Sequence, residues 1–131
     1  MPATCGGMFN LAKAVELALN NGADIKTGLR FGPETGTDFS DFNAFFEAVI
    51  TQLEYSASTC MDCIADYESY YGRYLPTPVI SATFESSAQS GTDLFAGGAK
   101  YNNTSIVGAG LATLTDSVLA VKKAVFEENK I

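Results

Sequence analysis

The chain has 131 residues, 47% hydrophobic and 18% charged, with nine Phe and six Tyr. This is one domain's worth of ordinary globular composition, which argues against disorder. The net charge is −7 with only eight Lys and Arg and no basic run, so nucleic acid and anionic membrane are excluded as expected partners.

The longest uncharged stretch, Tyr101 to Thr115, is rich in Asn, Thr and Gly and too short to span a bilayer. Met1-Pro2-Ala3-Thr4 carries neither a basic nor an apolar leader segment, so no secretion signal is expected. Three cysteines, an odd count, then point to a reducing, cytoplasmic setting. The absence of histidine removes the commonest general base and the commonest metal ligand together.

In chain order, residues 8–19 place Leu11, Val15, Ala18 and Leu19 on one helical face, and Asn20-Asn21-Gly22 ends that helix on a left-handed residue. Residues 22–38, rich in Gly, Pro and Thr, read as a long loop. Ser40 or Asp41 then caps a second helix. Its seam of Phe42, Phe45, Phe46, Val49, Leu53, Cys60, Ile64 and Tyr67 predicts about seven turns, ending before Gly72. Thr77 and Pro78 start a third helix, with Gly91 beyond its end. Asp93–Gly98 reads as a turn region and Tyr101–Val107 as a short strand. A last helix from about Leu111 buries Leu114, Val118, Val121 and Val125, with Lys122, Lys123, Glu127 and Glu128 outside. A lone strand cannot satisfy its own backbone, so this pattern expects strand partners from elsewhere.

Cys60-Met61-Asp62-Cys63 is a C-x-x-C, but it falls mid-helix with Cys60 on the apolar seam and no second ligand pair, so core packing is the plainer reading. Gly6-Gly7 and Gly97-Gly98 fit neither a dinucleotide nor a P-loop motif. The tyrosines at 67, 70, 71 and 74 suit ring packing at a helix end as well as ligand stacking. Asp62, Asp66 and Glu68 could form a carboxylate pair or simply a solvated helix face. In Tyr101-Asn102-Asn103-Thr104-Ser105, alternate side chains of a strand face opposite ways, so Asn102 and Thr104 share a face. Turned inward, that polar face suggests a ligand cavity; turned outward, a solvated edge.

Five blocks carry a resemblance: GGMFNLAKAVELALNNG at 6–22, TGLRFGPETG at 27–36, YLPTPVISA at 74–82, GGAKYN at 97–102 and GLATLTDSVLAVKKAVFEE at 110–128. Together they resemble the glycyl radical enzymes, the family of pyruvate formate-lyase and its dehydratase and decarboxylase relatives. The resemblance implies an α/β fold, here a mostly helical fragment of a ten-stranded barrel. It implies a partial pyruvate formate-lyase-like domain over 1–131, lying between the family's cysteine loop and its glycyl radical domain. In that family a radical-SAM iron–sulfur activase installs a glycyl radical, a thiyl radical forms on a cysteine, and the substrate loses a hydrogen to it. An anaerobic lyase or acyltransferase acting on a small molecule, homodimeric as a full-length enzyme, is implied in turn.

The family's thiyl and glycyl loops have no match in these residues, and Cys5, Cys60 and Cys63 do not fall at the thiyl position. No catalytic residue is therefore assigned. The expected role is barrel wall and part of the substrate pocket, inactive alone; a free-standing small subunit of a radical enzyme is the alternative. Counting back from Phe9-Asn10, the resemblance places Thr4, Cys5 and Met8 at substrate-facing positions, and Asn102 and Thr104 join them from the polar strand face. Diol dehydratases of the family often carry Asp where Cys5 stands. Cys5 therefore favours C–C cleavage or decarboxylation over dehydration.

Overall fold

A computed structural model describes residues 6–128. Its elements are β1 (Gly7–Asn10), α1 (Lys13–Leu19), α2 (Phe42–Tyr74), α3 (Pro78–Thr83), α4 (Glu85–Ser90), β2 (Ile106–Ala109) and α5 (Leu111–Val121). A short 3-10 turn (Leu94–Ala96) precedes β2, and a π-helical turn (Lys122–Glu127) extends α5. The described residues form two compact units: Cys60–Val107 with the residues up to Met8, and Phe9–Thr59 with those from Gly108 on.

The fold is mostly helical, as expected, with one two-stranded sheet. The first helix is shorter than its apolar spacing predicts, because Gly7–Asn10 alternate between half-buried and exposed with a period of two. Asn10 Oδ1 then accepts the Ala12 amide at 3.0 Å and turns the chain into α1. The second strand also lies elsewhere: Tyr101–Ser105 is irregular, and pairing begins at Ile106. The β-branched Ile106 and Val107 suit the paired segment, and Gly108 permits its close approach, since a Cβ there would sit 2.9 Å from Leu11 Cδ2. The bonds Gly6 N to Ser105 O and Leu11 N to Ala109 O, each 2.8 Å, advance in the same sense along both strands, so the pair is parallel.

In the unit containing Phe9–Thr59, Ala14, Val15 and Ala18 of α1 pack with Phe45, Ala48 and Val49 of α2 and Val118 of α5. Phe39 meets Phe45 edge-on at 5.5 Å, and Phe126 meets Phe42 edge-on at 6.1 Å. Asp41 caps α2, its Oδ1 accepting the Ala44 amide at 3.0 Å. That bond, ahead of the Ser40 hydroxyl, holds its carboxyl below the usual carboxylate range.

The long loop is tied down along its length. Asn21 (φ 51°) and Gly22 (φ 79°) supply the expected left-handed turn. Lys13 bridges Glu16 and Asp24, and Asp24 Oδ2 accepts the Thr27 amide (2.7 Å) and hydroxyl (2.6 Å). The Lys13 ammonium is the main reason the Asp24 carboxyl lies far below its ordinary range; the Thr27 bonds add to it. Gln52, fully buried, donates to the Pro33 carbonyl at 2.8 Å from beneath the loop.

In the unit containing Cys60–Val107, α2 continues through Gly72 to Tyr74 instead of stopping before the glycine. Gly72 is a packing position: a Cβ there would lie 2.8 Å from Ala96 Cβ. The expected third helix is two, broken at extended Phe84 (φ −102°, ψ 119°). Thr83 Oγ1 donates to the Ile80 carbonyl, and such a side-chain bond competes with continuation of the helix. Thr77 does not cap α3 with its side chain. Its amide (2.6 Å) and hydroxyl instead donate to Asp93, which also accepts the Ser81 hydroxyl (2.9 Å) and the Phe95 amide (2.9 Å). Gly91 (φ 64°) ends α4 as expected.

Candidate functional site

Within that second unit, one helical stripe of α2 organises a polar groove. Cys60, Ile64, Glu68 and Gly72 recur every four residues, so they share a face. Ile64 is buried and Gly72 lies against Ala96, which holds Glu68 between two packed positions. The groove, of about 520 Å³, is lined by Glu68, Ser69, Gly72 and Arg73 of α2 and by Phe95, Ala96, Gly97 and Asn102 opposite. Phe95 is fixed edge-on to Tyr71 at 5.0 Å, and the Arg73 guanidinium lies 5.4 Å from the Tyr74 ring centroid.

Thr104 Oγ1 reaches the Glu68 carboxylate at 2.6 and 2.7 Å, a charge-assisted bond that fixes the acid's position. The site can therefore present a carboxylate, a guanidinium, a side-chain amide and the Ser69 hydroxyl to a small polar molecule. Burial raises the Asp93 pKa, but its bonds from Thr77, Phe95 and Ser81 outweigh this and hold it below the ordinary range. Asp93 thus remains anionic and fastens the 3-10 turn whose Phe95 and Ala96 form one groove wall.

Asn102 lines the groove with Glu68, whereas Thr104 bonds Glu68 without being among the lining residues; both come from irregular chain rather than a strand, Asn102 exposed and Thr104 half-buried. Met8, on β1, is exposed and not among the groove's lining residues. Thr4 and Cys5 lie outside the described residues. Asp62 and Asp66 are exposed, as the solvated-face reading has them, whereas Glu68 departs from it. Cys60 is half-buried and Cys63 exposed; both are free thiols. Among the described residues, no helix is long and apolar enough to cross a membrane, and no three His, Cys, Asp or Glu side chains gather where they could hold a metal ion.

Sequence reasoning missed Ser69 and Arg73, and it assigned Glu68 only as one of an acidic group. The four-residue spacing from Ile64 to Gly72 was the available signal, since an acid between two packed positions is not on a solvated face.

A family model described as pyruvate formate lyase-like matches residues 1–131. The chain is 36% identical over 126 residues to trans-4-hydroxy-L-proline dehydratase of Clostridioides difficile, covering 95% of this chain and 16% of that protein. It is 33% identical over 123 residues to (2S)-3-sulfopropanediol dehydratase of Klebsiella oxytoca, covering 92% of this chain and 15% of that protein. Among solved structures, hydroxyproline dehydratase from C. difficile with trans-4-hydroxy-L-proline bound superposes with a TM-score of 0.86 at 35% identity, over 95% of this chain and 16% of that one. The glycerol-bound B12-independent glycerol dehydratase from Clostridium butyricum gives 0.84 at 35% identity over the same shares. The chain thus spans about one-sixth of the length of these relatives. All of them are dehydratases, which does not support the preference for C–C cleavage or decarboxylation drawn from Cys5. The match over the whole chain, together with a shared fold at more than 30% identity, places this chain in the pyruvate formate lyase-like family of glycyl radical enzymes.

Proposed function

We propose that this chain forms part of the substrate-chamber wall of a glycyl radical dehydratase that eliminates water from a small hydroxylated molecule. The observation that carries this reading is collinear likeness, over nine-tenths or more of the chain, to enzymes named for hydroxyproline and sulfopropanediol dehydration. The polar groove supports it: Glu68, oriented by Thr104, and Asn102 offer the acceptors and donors that a hydroxylated ligand would use. Asn102 is assigned to substrate binding because it lines the groove and Thr104 because it orients Glu68, and Thr4, Cys5 and Met8 on the family likeness alone. On this reading the whole enzyme is a cytoplasmic homodimer working anaerobically. Its glycyl radical is raised by a radical-SAM activase, and the radical-bearing loops stand outside these residues.

A segment exchange tests the proposal. This chain is placed in the C. difficile hydroxyproline dehydratase across its matching segment, and the chimera is activated anaerobically. Radical formation is followed by electron paramagnetic resonance, and products are analysed for a panel of diols and hydroxylated amino acids. Water elimination from at least one panel member is expected. A chimera that carries the glycyl radical yet only cleaves or decarboxylates its substrates overturns the dehydratase reading.

A further inference from the structure

The 3-10 turn that walls the polar groove is stopped on one side by contact and held on the other by hydrogen bonds. Toward α2, Ala96 sits so close that a Cβ on Gly72 would lie 2.8 Å from its own, and Phe95 stands edge-on to Tyr71 at 5.0 Å. The turn can come no nearer to α2 without overlap.

The ties that keep it from moving away converge on Asp93 and Ser81. The Asp93 carbonyl accepts the amides of Ala96 and Gly98, each at 2.9 Å. Its carboxylate oxygens divide the remaining donors. Oδ1 accepts the Phe95 amide at 2.9 Å, while Oδ2 accepts the Thr77 amide at 2.6 Å and lies 2.9 Å from the Ser81 hydroxyl. Buried Ser81 in turn accepts the Leu94 amide at 2.9 Å. Neither Asp93 nor Ser81 is among the residues lining the groove. A separate cavity of about 360 Å³, lined in part by Ser81, Ala82, Thr92 and Asp93, lies on the α3 side. Space is therefore open on that side of the turn, and directed bonds hold its position.

We propose that Asp93, backed by Ser81, sets the width of the Glu68–Asn102 groove and thereby the size of substrate it admits. This rests on the proposed reading of that groove as part of the substrate site. Asp93 is then a positioning residue, acting through Phe95 and Ala96. Asp93→Asn keeps the side chain's shape but turns one acceptor oxygen into a donor. The amide can satisfy the Phe95 N–H or the Thr77 N–H, not both. The turn then loosens in the one direction that contact leaves open, away from α2, and the groove widens. A small substrate loses its fit to the wall, and a bulkier one loses less.

The anaerobically activated chimera described above, with and without Asp93→Asn, tests this across the same panel of diols and hydroxylated amino acids. KM for the smallest substrate accepted should rise about tenfold with kcat little changed, the mark of binding lost equally from ground and transition states. KM for the bulkiest should rise less, so the preference between them shifts toward size. Ser81→Ala, which removes the tie to Leu94, should shift both in the same sense by a smaller factor. A change in kcat or in radical yield that leaves the KM values and their order untouched makes Asp93 merely structural and overturns the proposal. Variants indistinguishable from the parent chimera overturn it too, and both outcomes leave the dehydratase reading standing. Should Asp93→Asn fail to fold, Ser81→Ala decides by the same comparison. A chimera that eliminates water from no panel member removes the reading beneath the proposal, and the proposal with it.

Discussion

The two halves of α2 lie in different units and hold their surroundings by different means. Up to Thr59 the helix buries large side chains: Phe45, Ala48, Val49 and Gln52 are all enclosed, and the rings of Phe39, Phe42 and Phe126 meet around Phe45. Beyond Cys60 only Ile64 is buried, and the neighbours approach through glycine and through the carboxylates of Glu68 and Asp93. The first half gains stability from area removed from water, which tolerates modest changes in shape. The second relies on close approach and directed bonds, which tolerate little. A polar groove can exist only beside the second kind of packing, because a phenylalanine core leaves no hydrogen-bonding groups to line one.

The comparison can be broken most forcefully in the first half. Phe45→Ala removes a fully buried ring and should cost about 3–5 kcal/mol by denaturant unfolding, with the amides of α1 and α5 losing hydrogen-exchange protection. Equal loss of protection at Leu94 and Phe95 would mean that the two regions do not behave separately. Next in size is Gly72→Ala, which drives a methyl to within 3.0 Å of the Ala96 Cα and should cost about 1–3 kcal/mol, with loosening confined to Cys60–Val107. A neutral outcome at this position would remove the claim that close approach holds that region.

The smallest effect near neutrality, growing only in acid, comes from the carboxylates. Asp24 and Asp93 both have folded pKa values below their ordinary range. Their stabilisation is therefore complete above that range and is lost as pH falls through the folded values. Asp24 is the more strongly depressed, held by Lys13 and Thr27, so exchange followed by NMR on lowering pH should open Phe95 before Thr27. The reverse order would show that Asp93 is the better-held acid.

Much of this was legible in the sequence where side chains alone decide the outcome. The Phe42–Val49 seam, the Asp41 cap and the Asn21-Gly22 stop were read from residue type and spacing, because each acts within a few residues of itself. The errors fell where a distant partner decides. Residues Met8–Asn10 fit a helical pattern, yet they join a strand that begins almost a hundred residues later. Gly72 has the composition of a helix end, but Ala96 makes it a contact. Thr77 has the form of a cap, but Asp93 captures its hydroxyl. Around the groove, Asn102 and Thr104 were read from a strand that is not there, and Glu68 was undervalued because its partner lies 36 residues away.

The wide π-helical turn at Lys122–Glu127 fixes how many residues the chain must have there. In a regular α-helix each residue turns about 100° from the last, so continuing the phase of Val118 and Val121 would bring Val125 to the core and carry Phe126 past it. The wider turn delays the rotation by about one residue, and it is Phe126 that closes on Phe42 and Phe45. The surplus residue is thus a spacer: shortening the segment by one would restore ideal helical geometry while exchanging an aromatic plug for a smaller one. Length at this point is under the same constraint as side-chain identity.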